Sequence, residues 1–288
     1  MEKNSLFLAA LLILLSACAS GNSDPYNRAV EYYSLGHVDE SVESFKQAIL
    51  INPSEPEPKF NLAVIYQDQG KLDEAESLYR AIIQKNAEFA AAWSNLASIQ
   101  EKRGQIVEAE KSHRLAVQAD RGGCAAASQF GYFLLRNQRT DEAADVFKQA
   151  VEKDGRCANA WFGLGMIAEL RGDRRTALRS YDNVSIYNAS DLEAYLRSAD
   201  LRISMGERAA AVLLLEKAAS LAPDRGDIKL RLGRLLREEG KYKDAEKTLE
   251  EAIKAGAPRN ECDRELSIVY GKLYEEASAA SADGARVQ

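Results

Sequence analysis

The chain has 288 residues and a formal net charge of −6, with 46% hydrophobic and 28% charged residues. That acidic balance excludes a general nucleic-acid binder, which needs a basic face. With two histidines, His37 and His113, and no HExxH, CxxC, GxSxG or phosphate-loop pattern, nothing points to an active site, a metal or a cofactor.

Residues 1–17 stand apart. Lys3 gives a thin positive start, residues 6–15 (LFLAALLILL) an apolar core, and Leu15-Ser16-Ala17-Cys18 closes it. The apolar run is too short to cross a bilayer as a helix, which takes about 20 residues. The segment resembles a bacterial lipoprotein signal peptide. That resemblance implies cleavage before Cys18, lipidation of Cys18 and a mature chain of residues 18–288. Ala19, where similar proteins retained at the inner membrane carry Asp, implies the outer membrane, with the protein facing the periplasm. Residues 18–24 then form a short anchored linker, Ser23 or Asp24 can cap the first helix, and Pro25 suits a first helical position.

From residue 22 the sequence repeats every 34 residues without an insertion. Gly36, Gly70, Gly104, Gln138, Gly172, Gly206 and Gly240 mark the turns between two apolar-periodic helices. Five residues after each turn comes a small residue: Ser41, Ala75, Ala109, Ala143, Ala177, Ala211 and Ala245. Four further on the column is bulky: Phe45, Tyr79, His113, Phe147, Tyr181, Leu215 and Leu249. Seven before each turn it is small again: Ala29, Ala63, Ala97, Gly131, Gly165, Ala199 and Gly233. Facing small columns let paired helices approach closely, and the bulky column fills the space beside them.

Trp161-x2-Leu164-Gly165, Ala143-x3-Phe147, Pro53 and Pro223 resemble the tetratricopeptide repeat signature. The resemblance implies an all-α, right-handed α-solenoid of seven repeats, at residues 22–55, 56–89, 90–123, 124–157, 158–191, 192–225 and 226–259. Residues 260–276 begin an eighth copy (Leu266, Ser267, Tyr270) without a second helix, and are expected to cap the last apolar face. Residues 277–288 are expected to be a disordered tail. His113, in the bulky column, is expected to be packed. Gly163-x-Gly165-x-x-Ala168 resembles a dinucleotide fingerprint only superficially, because no strand precedes it and Gly165 lies in the small column.

With Cys18 lipidated, Cys124, Cys157 and Cys262 remain. Cys124 and Cys157 are candidates for a disulfide, 33 residues apart at neighbouring inter-repeat junctions. Matching points in adjacent repeats lie about 8–10 Å apart, whereas a bridge needs Cα atoms within about 7 Å. A bridge and two free thiols both stay open. Cys262 is expected to be a buried apolar residue.

In similar arrays the first helix of each repeat lines a binding groove. Carried onto this chain, that puts Asn27, Asn61, Asn95 and Gln129 in a ladder of amides able to donate to and accept from an extended peptide backbone. Tyr26, Tyr33, Phe60 and Val64 would form an apolar floor beside it, and Tyr132, Phe162 and Met166 another further on. Arg197, Arg231, Arg234 and Arg237 form a candidate basic patch, to dock an acidic segment or to pair with nearby acids such as Glu193, Asp200 and Glu238. The expected partner is a protein or extended peptide, with membrane attachment through Cys18 and no nucleic acid or small-molecule substrate. The expected function is non-catalytic: a scaffold for envelope, pilus or secretion-system assembly. The alternative is a regulatory adaptor recruiting a cell-wall hydrolase or protease. The run Phe130-Gly131-Tyr132-Phe133-Leu134, followed by Asp141-Glu142-Ala143, resembles type IV pilus pilotin lipoproteins.

Overall fold

The structure is a computed structural model describing residues 24–286, with side chains to residue 279. The signal peptide and Cys18 lie outside the described residues. Fifteen α-helices and no strands occur among them. Contacts divide the chain into two compact units, Met1–Asp154 and Gly155–Gln288.

The first unit holds four helical hairpins: α1 (Pro25–Ser34) with α2 (Val38–Ile51), α3 (Pro56–Asp68) with α4 (Leu72–Lys85), α5 (Ala90–Lys102) with α6 (Ile106–Ala119), and α7 (Ala125–Arg136) with α8 (Thr140–Lys153). The second holds three: α9 (Ala158–Leu170) with α10 (Arg174–Tyr187), α11 (Leu192–Ser204) with α12 (Arg208–Leu221), and α13 (Gly226–Glu238) with α14 (Tyr242–Lys254). A long helix, α15 (Arg259–Arg286), packs on α13 and α14.

The three packing columns are realised in every hairpin. All seven members of the column from Ser41 to Ala245 are fully buried, and those from Phe45 to Leu249 are buried to within 1%. They sit against the small column of the preceding helix. A Cβ added to Gly131 would fall 2.5 Å from the Phe147 ring, and one at Gly165 2.5 Å from Tyr181, so these helices approach as closely as glycine permits. Ser41, the polar member, donates its hydroxyl to the Ala29 carbonyl at 2.8 Å, which satisfies it without water.

Each hairpin turn has the same hydrogen bonds. In the first, Gly36 N–H reaches the Tyr33 carbonyl and His37 N–H the Tyr32 carbonyl; in the fourth, Gln138 reaches Leu135 and Arg139 reaches Leu134. This is a Schellman termination, which requires a left-handed residue just after the helix. Six turns use glycine at φ from 72° to 80°, and Gln138 adopts the same conformation at φ 61°.

In the second hairpin the first helix is sandwiched and the second is not. In α3 eight residues are buried, from Pro58 to Gln67, against four in α4. At the carboxyl end the structure departs from expectation. The capping helix does not stop at residue 276 but continues to Arg286, through much of the expected tail. Its docked face is Cys262, Leu266 and Val269, all buried among Leu232, Leu236 and Leu249.

Candidate peptide-binding face

In the first unit the amide ladder is partly tied into the fold. Asn61 Nδ2 donates to the Tyr26 hydroxyl at 3.2 Å, linking α3 to α1, and Asn95 Nδ2 donates to the Tyr79 hydroxyl at 3.0 Å, linking α5 to α4. Asn61 is only 5% exposed. Burial pushes the Tyr26 hydroxyl pKa up, with the Asn61 bond opposing, and pushes the fully buried Tyr79 far above the ordinary phenol range. Both phenols are therefore neutral at neutral pH.

Phe60 is not a groove side chain. It is 1% exposed and packs between Tyr79, with ring centroids 5.8 Å apart, and Phe89, at 5.3 Å. The reason is the sandwiching of α3, which leaves little of that helix uncovered.

Of the remaining candidates in this unit, Tyr26, Asn27, Val64, Asn95, Gln129 and Tyr132 are half-buried. Tyr26 sets its ring edge-on to Phe45, and Tyr132 edge-on to Phe147 at 5.1 Å. The last amide, Gln129, has a buried Oε1 that accepts no hydrogen bond from the described residues.

A polar cluster not foreseen from the sequence lies nearby. His113 Nε2 and Glu101 Oε1 are 2.9 Å apart, Arg136 makes a forked pair with the same carboxylate, and the imidazole packs against both Phe130 and Phe133, which also touch each other. Burial works to raise the Glu101 carboxyl, but the bonds and charges of His113 and Arg136 outweigh it, so its pKa lies below the usual carboxylate value. His113 is packed, as its column requires, and also holds Glu101.

The same device recurs two repeats later, inside the second unit. Tyr181 donates its hydroxyl to Glu169, and Arg197 bonds the same carboxylate at 3.0 Å. The signal was in the spacing. Twelve residues before the bulky position stands Glu101 for His113 and Glu169 for Tyr181, but Gln67 for Tyr79, whose hydroxyl is held by Asn95 instead, and Leu135 for Phe147.

The second-unit candidates Phe162 and Met166 are half-buried. Phe162 packs on Tyr181 and lies under the Arg197 guanidinium at 5.7 Å. The four arginines are not a free basic patch. Arg197 also pairs with Glu193, Arg231 pairs with Asp200, Arg234 with Glu261 and Glu265, and Arg237 with Glu265 and Glu238. Their charge is met by acids nearby on the same helix and by acids 27 to 31 residues away, and Arg234 and Arg237 pair with acids of α15.

Cys124 and Cys157 stand at the N-caps of α7 and α9, one in each unit, while Cys262 is a free, buried thiol. Burial raises the Cys262 pKa. Among the described residues no group of three His, Cys, Asp or Glu side chains could hold a metal ion, and no helix is long and apolar enough to cross a membrane.

These paired helices in a 34-residue period define a class of repeat scaffold. Family models of the tetratricopeptide repeat match residues 29–70, 60–123, 130–191 and 203–262. The chain belongs to the tetratricopeptide repeat family. No curated protein sequence matches it significantly.

Among solved structures, a tetratricopeptide repeat protein from Parabacteroides merdae is 19% identical, over 85% of this chain and 97% of its own, with a TM-score of 0.52. PilF of Pseudomonas aeruginosa is 15% identical over 69% of this chain and 90% of its own, at 0.55. The Cut9–Hcn1 hetero-tetramer of the APC/C gives 12% identity over 92% of this chain and 55% of that one, at 0.56. At these identities the likeness is one of fold. Family and fold are consistent with binding of a protein or an extended peptide.

Proposed function

We propose that the chain is a non-catalytic, lipid-anchored scaffold holding a partner protein or extended peptide on the first-helix face of its first unit during envelope assembly. One observation carries this reading. Asn27, Asn61, Asn95 and Gln129 recur at one position of successive first helices, and Asn27, Asn95 and Gln129 stay half-buried there. Side-chain amides in such a row can donate to and accept from an extended peptide backbone. Tyr26, Val64 and Tyr132 supply half-buried apolar surface beside the amides.

Asn61 and Asn95 serve the fold, so the test falls on Asn27 and Gln129. In full-length lipidated protein crosslinked in cells and purified, Asn27→Ala with Gln129→Ala should lose the captured partner while the thermal midpoint stays close to wild type. Unchanged capture overturns the reading. A captured cell-wall hydrolase or protease would favour the adaptor alternative.

Anchoring is supported by the Leu15-Ser16-Ala17-Cys18 run, and outer-membrane, periplasm-facing placement by Ala19. Labelled palmitate should enter the protein and be lost in Cys18→Ser. Among assembly roles, the pilotin-like run from Phe130 to Leu134 favours pilus or secretion-system assembly. Normal secretin multimers in a deletion strain would remove that version.

A further inference from the structure

We infer that the last turn of α2, carrying Leu50 and Ile51, lies against the phospholipid bilayer as a second membrane contact beside the lipid on Cys18. This rests on the anchoring reading above. The turn at Gly36 makes α1 and α2 antiparallel, so the start of α1 and the end of α2 share one edge of the first unit. Helix α1 has 10 residues and α2 has 14. At about 1.5 Å per residue, α2 overshoots the start of α1 by roughly 6 Å.

That overhang is apolar and uncovered. Leu50 is 79% exposed and Ile51 64%. The matching pairs at the ends of α4, α6 and α8 are Gln84-Lys85, Gln118-Ala119 and Glu152-Lys153. Within the first unit, only the hairpin next to Cys18 ends in two large apolar side chains. Six residues separate Cys18 from Pro25 and reach at most roughly 20 Å when extended. An acyl chain in the membrane therefore holds this edge close to the headgroups.

A lysine stands beside the overhang. The Pro53 carbonyl, two residues past Ile51, accepts from both Lys59 Nζ and Lys85 Nζ. These bonds fix the chain leaving the overhang, and the exposed Lys85 brings positive charge beside it for headgroup phosphate. Three exposed acids stand at the same edge, Asp24, Glu55 and Glu57, and two of them are hydrogen-bonded within the fold. Asp24 caps the Tyr26 N–H, and Glu55 accepts from Asn52 Nδ2 at 3.1 Å. Apolar side chains at an interface with a lysine nearby are the usual means by which a helix end seats in a bilayer surface.

The test uses full-length lipidated protein in vesicles of phosphatidylethanolamine and phosphatidylglycerol. A photocrosslinking benzoylphenylalanine replaces Leu50 or, as the comparison, Val107, which is 78% exposed at the opposite edge beside the Gly104 turn. Position 50 should give at least about tenfold more phospholipid adduct than position 107, since withdrawing one large apolar side chain from water is worth that ratio or more. Equal adducts at both positions, or none at 50 while the protein floats with the vesicles, overturn the contact and leave the anchor standing. Protein that does not float and carries no acyl group on Cys18 overturns both. Adducts from position 50 to a second copy, or to residues 6–15 of unprocessed chain, overturn the bilayer as the occupant.

Discussion

The Asn95 side-chain amide donates to the Tyr79 hydroxyl across 3.0 Å, so a residue placed by its repeat position on a binding face holds a core phenol instead. Tyr79 is fully buried, and Asn95→Ala would strand its hydroxyl. A buried polar group left without its partner costs about 1–3 kcal/mol. Urea unfolding of Asn95→Ala should show a loss in that range. Adding Tyr79→Phe should recover much of it, because both partners are then gone. If the double variant is as unstable as the sum of the singles, the bond is not what Asn95 contributes.

Gln138 takes the left-handed conformation that glycine takes at the other six hairpin turns, at φ 61°. A residue with a Cβ is disfavoured there by roughly 1–2 kcal/mol, partly offset by the greater freedom glycine loses on folding. Gln138→Gly should therefore raise stability by about 1 kcal/mol. Gly172→Ala, at φ 75° with open space around its Cβ, should lower it through the backbone alone. Equilibrium unfolding of the two variants checks both signs.

The columns from Ala29, Ser41 and Phe45 onward were legible because close helix packing dictates residue size at fixed intervals, and the sequence shows size directly. The face of a helix is harder to read. Phe60 and Val64 are one turn apart on α3, yet Phe60 is enclosed and Val64 half-open, because α3 is covered on most sides. The charge on Arg231, Arg234 and Arg237 was legible, and so were Asp200 and Glu238 as pairing acids, but Glu265 was not. It lies 28 residues from Arg237 and 31 from Arg234, on α15, and pairs only once that helix packs on α13. The extent of α15 was missed because its final residues, Ala277 onward, are small and polar and carry no apolar periodicity.

Glu101 makes stability depend on pH. Its folded-state pKa lies below the ordinary value of about 4.3. A carboxylate with a lowered folded pKa contributes stability above its unfolded pKa, and that contribution is lost as pH falls through the folded value. Hydrogen bonds to a charged group are worth about 1.5–3 kcal/mol. Glu101→Gln should therefore be less stable than wild type at neutral pH by an amount near the low end of that range, and the gap should close below about pH 4. A gap constant from neutral to strongly acid pH would show that the Glu101 charge is not what His113 and Arg136 stabilise.

Cys124 and Cys157 cap the first helices of successive hairpins, and we propose a bridge between them, which thiol mapping tests. Denatured, unreduced protein should alkylate at Cys262 alone, and reduction should add Cys124 and Cys157. Alkylation of all three without reduction overturns the bridge.

Docking of α15 depends on Glu265, which is 9% exposed and receives both Arg234 Nε at 3.0 Å and Arg237 Nε at 2.8 Å from α13. One turn away, Cys262 is fully buried against the same helices, with its thiol pKa raised by burial. Removing the shared carboxylate leaves two guanidinium groups facing each other at the seam, so Glu265→Ala should loosen the helix there without unfolding the hairpins. In native protein Cys262 should then alkylate much faster, and amide exchange should rise along α15 while the buried amides of α13 keep most of their protection. Glu265→Gln, which keeps the shape and one acceptor oxygen, should fall between wild type and Glu265→Ala. If Cys262 reacts at the wild-type rate in Glu265→Ala, the apolar contacts of Leu266 and Val269 hold α15 by themselves, and the arginine pairs are surface ornaments of an already stable seam.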